Sequence, residues 1–320
     1  MILGFLSRIT SRKKSKKEIR KSDFLFVFSL RALACLLILL LFSIVVLLLV
    51  QSREIFARDG VAFLWHQEWN PNSDIYGALP FIYGTLVTSF VALLISVPVS
   101  VGCALFVTEL CPRWMKNPLS FLIEMLAAIP SVVYGLWGIF VLVPIVRTYL
   151  QPFLARTLGF LPFFQGPQFG IGILSASIVL SIMILPTITT MCREVFTAIP
   201  QLTREAALTL GATRWEMISM SVLTTAIPGI FGAVVLGLGR AMGETMAVTM
   251  LIGNRADIPL SLFSPGATMA SVIANEYPEA STSLYLSALT AIGVSLFLVS
   301  LLVNLIARWI VYSFEKKVGG

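Results

Sequence analysis

The sequence predicts an all-α integral membrane protein that crosses the bilayer six times, and three observations carry that prediction. Hydrophobic residues make up 57% of the 320 and charged residues only 12%, whereas a soluble domain is about 25% charged. Mean hydropathy is +0.91. Six stretches, about 24–50, 81–108, 119–147, 169–191, 225–252 and 285–312, each hold the roughly 20 mostly apolar residues that a helix needs to span hydrocarbon. Unpaired backbone groups are prohibitive there, so each stretch is expected to be helical.

Residues 1–22 form a basic leader with eight Lys and Arg between Arg8 and Lys21. Beside an apolar run, such a block reads as a cytoplasmic anchor against anionic headgroups. No aromatic residues interleave its lysines, which argues against a nucleic-acid partner. The run that follows is longer than the 7–15-residue core of a signal peptide and has no small-residue cleavage site after it, so it is expected to be a retained first span. The second to fifth spans are interrupted by Pro98, Pro130, Pro144, Pro186 and Pro228; neighbouring helices repair such breaks in membrane bundles. In the fifth, Gly229, Ala233 and Gly237 recur every four residues, a spacing that lets helices approach closely. The connection 253–284 is long enough that re-entry into the membrane stays open.

Charge placement orients the chain. With the N-terminus inside, the inner segments hold the leader's eight basic residues and Arg113, Lys116, Arg193, Arg204, Arg214, Arg308, Lys316 and Lys317. The outer ones hold Arg53, Arg58, Arg147, Arg156 and Arg255. That bias places both termini in the cytoplasm.

Four cysteines without a CxxC pair, and a single histidine, His66, exclude a disulfide framework, a Cys/His metal set and an HExxH hydrolase. No cofactor is expected. No GxxxxGK[ST] loop occurs, so ATP would have to be bound by another chain.

Three places carry candidate chemistry. In the connection 192–224, residues 203–212 read as a short helix. Thr203 is its expected N-cap, Glu205 sits at the positive end of its dipole, and Gly211 ends it. A helix that short needs a partner surface, and Ala206 and Ala207 leave room for one. In the fifth span, Arg240 and Glu244 lie four apart in Gly239-Arg240-Ala241-Met242-Gly243-Glu244-Thr245. Each costs about 2.5–3.5 kcal/mol at a helix centre, and intramembrane charges are functional by default. On one helix face they would pair, as a structural device or as a site where Arg240 receives an anion and Glu244 neutralises it between cycles. Glu124, near the cytoplasmic end of the third span, would line an inner gate or satisfy a neighbour's polar group.

Glu205-Ala206-Ala207, three residues, then Gly211, with Pro228-Gly229-Ile230 downstream, resembles the cytoplasmic signature of ABC importer permeases. The usual Leu-Pro before the fifth span is here Leu223-Thr224. Asn72-Ser73-Asp74-Ile75-Tyr76-Gly77-Ala78, Tyr83 to Ser89, Ala127 to Gly135 and the Arg240 segment together closely resemble the PstC-type permeases of phosphate importers, from about Val61 to the last span. The resemblance implies a type I ABC importer permease fold in a bacterial inner membrane. It implies phosphate passage at Arg240 and Glu244, and docking of the Glu205 helix on a separate ATPase. It further implies three partners: a second permease of PstA type, an ATP-binding dimer of PstB type and an outer phosphate-binding protein of PstS type. Phosphate rather than another oxyanion such as sulfate or molybdate rests on the resemblance alone. A stand-alone secondary transporter is the competing reading; a channel fits poorly without a carbonyl filter or an arginine sensor.

Overall fold

The computed structural model describes residues 21–318, with side-chain surroundings from 26 to 311; most of the basic leader 1–22 therefore lies outside the described residues. The chain divides into two compact units, 1–48 and 49–320. In the first, helix α1 (Lys21–Gln51) runs on into the second unit and is apolar all the way round, as a helix surrounded by lipid needs.

The second unit is mainly helical in its described residues, among which only an isolated bridge, Asn70 with Ile75, has β geometry. Its main helices are α2 (Leu79–Leu110), α3 (Arg113–Ala128), α4 (Ser131–Leu158), α5 (Ile173–Ala198), α6 (Gln201–Thr209), α7 (Arg214–Met242), α8 (Met246–Ile252), α9 (Met269–Glu276) and α10 (Ser283–Val318). Among the described residues six helices, α1, α2, α4, α5, α7 and α10, are long and apolar enough to cross a membrane, which bears out the expected count.

Helix α5 is the hub. In its most apolar window 72% of residues are buried, against 22–44% in the other spans of this unit. Its most extensive contacts are with α2 and α7. Small residues make that closeness feasible. On α7, Gly229 abuts Val195 and Gly237 abuts Ile188 of α5, so the four-residue stripe read from sequence is an intrachain packing seam. Gly84 of α2 lies against the backbone of Ala267, and Gly135 of α4 against that of Ala247.

Two expected spans are corrected. The third, expected over 119–147, runs from Ser131 to Leu158, because Ile129 is extended (φ −67°, ψ 127°) ahead of Pro130 and ends α3. Steric conflict with the proline ring disfavours helical geometry at the residue before it. Glu124 therefore lies on α3, a separate amphipathic helix ahead of the span. The fifth, expected as one helix over 225–252, starts earlier at Arg214, ends at Met242 and resumes as α8 after a break at Gly243–Thr245.

The connections gather at the two ends of the bundle. At one end, Trp69, Tyr76, Phe81 and Tyr285 form an aromatic cluster around Glu276, whose carboxylate accepts from Trp69 Nε1 (2.8 Å) and Tyr285 Oη (2.6 Å). Segment 253–268 folds back on the start of α5, with Leu174 N donating to Leu262 O and Ile173 N to Ser264 O. At the other end lie α3 and α6.

Candidate functional site

Arg240 occupies the last turn of α7 and is exposed within the chain. Its Nη1 donates to Thr187 Oγ1 at 3.1 Å. Thr187 fixes its depth: it stands 14 residues after the first residue of α5 and 11 before the last, about 21 and 17 Å of helix. The guanidinium is therefore level with the middle of α5, a helix long and apolar enough to cross a membrane. It also interacts electrostatically with the Tyr134 hydroxyl of α4. Among the described residues Arg240 makes no ion pair.

The pairing expected between Arg240 and Glu244 is not formed. Helix geometry stops at Met242, so the four-residue spacing no longer sets both side chains on one face. Glu244 sits in the break, partly buried, and its Oε1 lies 3.5 Å from the backbone N of Ala247 in the first turn of α8. An N-terminal turn favours a carboxylate because its N–H groups lack intrahelical partners. Arg240 is thus an exposed cation level with mid-α5, with one neutral hydrogen bond among the described residues, and a guanidinium can receive a tetrahedral oxyanion bidentately.

The second site is at the α6 end. Helix α6 starts at Gln201 after Pro200, so Thr203 falls inside the first turn and is not the N-cap expected. The same pre-proline geometry, at Ile199 (φ −68°, ψ 127°), ends α5. Gly211 ends α6 as expected. Its φ is +88°, Gly211 N donates to Leu208 O (3.1 Å) and Ala212 N to Ala207 O (3.2 Å), the paired closure that a left-handed residue makes. Glu205 and Ala206 are exposed and Ala207 packs on the core. Around them Leu202 (76%), Leu210 (89%) and Trp215 (67%) stand exposed, an apolar rim around a short helix that has no cover among the described residues.

Under α6 is a cavity of about 600 Å³ lined by residues including Glu109, Lys116, Arg193, Arg204 and Glu205. Arg193 of α5 pairs with Glu124 of α3 at 3.0 Å, so Glu124 does satisfy a neighbour's polar group. Arg204 pairs with Glu109 at 2.9 Å. Sequence reading had weighed Arg193 and Arg204 only as charges that set orientation, and had missed Glu109 and Thr187. The signal available for the ion pairs was opposite charges at the ends of two spans meant to meet at the same membrane face. Nothing in the sequence singled out Thr187 beyond its place after Pro186.

A family model described as "Binding-protein-dependent transport system inner membrane component" matches residues 96–320. The phosphate transport system permease protein PstC of Pasteurella multocida is 45% identical over 318 residues, 98% of this chain and 99% of that protein. The chain belongs to the PstC family of binding-protein-dependent permeases. A second PstC relative, from Haemophilus influenzae, is 44% identical over 96% of this chain and 99% of its own length. The likeness extends to a probable PstC of Methanocaldococcus jannaschii, at 34% identity over 95% of this chain and 98% of that protein. Among solved structures, a chain of a bacterial ABC transporter involved in importing the acidic polysaccharide alginate matches with a TM-score of 0.59 at 18% identity, covering 93% of this chain and 98% of that one. At that identity the likeness speaks for the fold, a type I ABC importer permease. The PstC-family chain is thus a multi-pass transport subunit of an ABC importer.

Proposed function

We propose that this chain forms half of the membrane path of an ATP-driven importer of inorganic phosphate in a bacterial inner membrane, with both termini in the cytoplasm. Arg240 carries the reading: a guanidinium level with the middle of α5, exposed and without a carboxylate partner among the described residues. A charge there is costly unless function retains it. One guanidinium attracts any oxyanion, so phosphate over sulfate or molybdate is supported by the PstC relatives. Glu244, one turn beyond in a non-helical break, neutralises Arg240 when the anion has left. Glu124, held by Arg193 about six residues or ~9 Å further along α5 than Thr187, borders the inner mouth of the path.

Import is uphill. Each negative charge entering against 100 mV costs about 2.3 kcal/mol before any concentration gradient, so import needs an energy source, which an ATPase in trans supplies. Helix α6, through Glu205, Ala206, Ala207 and the Gly211 turn, docks on an ATP-binding dimer of PstB type. Its exposed Leu202, Leu210 and Trp215 support that role. A PstA-type permease completes the path, and a PstS-type binding protein delivers phosphate at the aromatic-clustered outer end. A stand-alone secondary transporter would leave the α6 rim without a partner. The test is reconstitution of the four kinds of subunit in liposomes. Phosphate uptake should require both ATP and the binding protein; uptake by this chain alone, driven by an ion gradient, would overturn the reading.

A further inference from the structure

We infer that the Arg204–Glu109 pair is the tie that carries movement of α6 into α2, making both of them positioning residues of the coupling apparatus. The inference rests on the docking role proposed for α6. Chain connectivity joins α6 to α5 through Ile199-Pro200 and to α7 through Leu210–Thr213, but nothing in the chain order joins it to α2. Arg204 does. Its Nη2 and Nε donate to Glu109 Oε1 at 2.9 and 3.3 Å, while Nη2 and Nη1 donate to the carbonyls of Phe196 (2.7 Å) and Ile199 (2.5 Å). One guanidinium therefore grips the end of α2 and the end of α5 together.

Each contact has a physical reason. The C-terminal end of a helix favours a cation; Ile199 is the C-cap of α5, and the Phe196 carbonyl accepts only a long bond (3.4 Å) from Ile199 N besides that from Arg204. Glu109 lies in the π-helical turn Phe106–Leu110 that ends α2. Such turns are local departures from helix register that concentrate at functional sites. The pair is also set apart by burial, with side chains 17% and 9% exposed. Of the other ion pairs among the described residues, Arg58–Asp59 and Arg255–Asp257 join near neighbours in the chain, and Arg193–Glu124 leaves its carboxylate 56% exposed. A planar fork with several fixed donors transmits direction better than a flexible ammonium. Movement of α6 thus reaches α2 and α5 through one rigid group, and reaches α7 through the chain.

The experiment uses the full complex in liposomes and reads phosphate taken up per ATP hydrolysed, in wild type and in Arg204→Gln, Glu109→Gln, the double variant and Arg204→Lys. The expected result is a fall of at least tenfold in that ratio for each neutral variant while hydrolysis continues. The double variant should be no worse than Arg204→Gln, which already removes the Glu109 contact along with those to Phe196 and Ile199, and Arg204→Lys should recover part of the ratio. A ratio equal to wild type in Glu109→Gln, which preserves shape, would overturn the inference even if Arg204→Gln does not assemble. Losses that multiply in the double variant, or a parallel loss of hydrolysis and uptake in assembled complexes, would also overturn it. Failure of the wild-type complex to couple ATP to phosphate uptake would instead reject the proposed function, so the two failures are distinct.

Discussion

Replacing Gly84 with alanine should destabilise the protein, whereas the same change at Gly102, in the same helix, should not. A Cβ on Gly84 would lie 2.0 Å from the carbonyl oxygen of Ala267, against 3.4 Å or more for ordinary contact. Backbone flanks both sides, so α2 and segment 267–269 would have to separate by about 1 Å, and overpacking of that kind costs about 1–3 kcal/mol. The same separation strains the buried bond from Met269 N to Thr85 Oγ1, 2.9 Å long, worth about 0.5–1.5 kcal/mol. Helix propensity returns up to about 1 kcal/mol on replacing Gly by Ala, leaving a net loss of about 0.5–4.5 kcal/mol, centred near 2. Gly102 has nothing within 4 Å of its would-be Cβ, so only the propensity gain applies. Thermal melting of the purified chain in mild detergent reads the difference. At about 2–4 °C per kcal/mol, Gly84→Ala should melt roughly 1–18 °C lower, and Gly102→Ala no lower than the parent. Equal melting of the two variants would refute the packing of α2 on this segment.

Two further outcomes follow from local geometry. At Gly211, whose φ is +88° with no neighbour within 4 Å, the demand is conformational, since left-handed geometry costs an ordinary residue about 1–2 kcal/mol and asparagine less. Gly211→Ala should lower ATP-driven uptake by about 5- to 30-fold at normal membrane abundance, Gly211→Asn by much less, and equal effects would contradict the turn. At the aromatic-clustered end, burial above all, with the Asp74 charge, raises the Tyr76 pKa above its ordinary value near 10. The folded state therefore holds that proton more tightly than the unfolded one. The stability it contributes is complete below the ordinary value and is lost as pH rises through the raised one. Between about pH 9 and 11, bracketing the ordinary tyrosine value, the melting temperature of Tyr76→Phe should fall less than that of the parent; an identical fall would contradict the assignment.

How much of this was legible in sequence differs by element. Number and nature of the spans were plain, because lipid demands long apolar helices and little else in the chain resembles one. Boundaries were not. Ala-Ile-Pro ends a helix at Ile129 and again at Ile199, yet Ala226-Ile227-Pro228 lies inside α7, just after the π-helical turn Ile218–Leu223. Proline biases the residue before it without compelling it, so tertiary packing decides each case. The Arg240–Glu244 pairing failed for a related reason: periodicity presupposes an unbroken helix, and the break at 243–245 carries no proline. Gly211 succeeded because its requirement is local backbone geometry, which one residue sets. Arg204 and Glu109 stand 95 positions apart in the chain, and no spacing rule reaches that far.

Arg240 gives the most direct test of the central claim. Uptake of labelled phosphate by the reconstituted complex should fall at least a hundredfold in Arg240→Ala, with membrane abundance and subunit assembly unchanged, because among the described residues the side chain makes a single exposed hydrogen bond, to Thr187. Uptake at the wild-type rate in that variant would contradict the account.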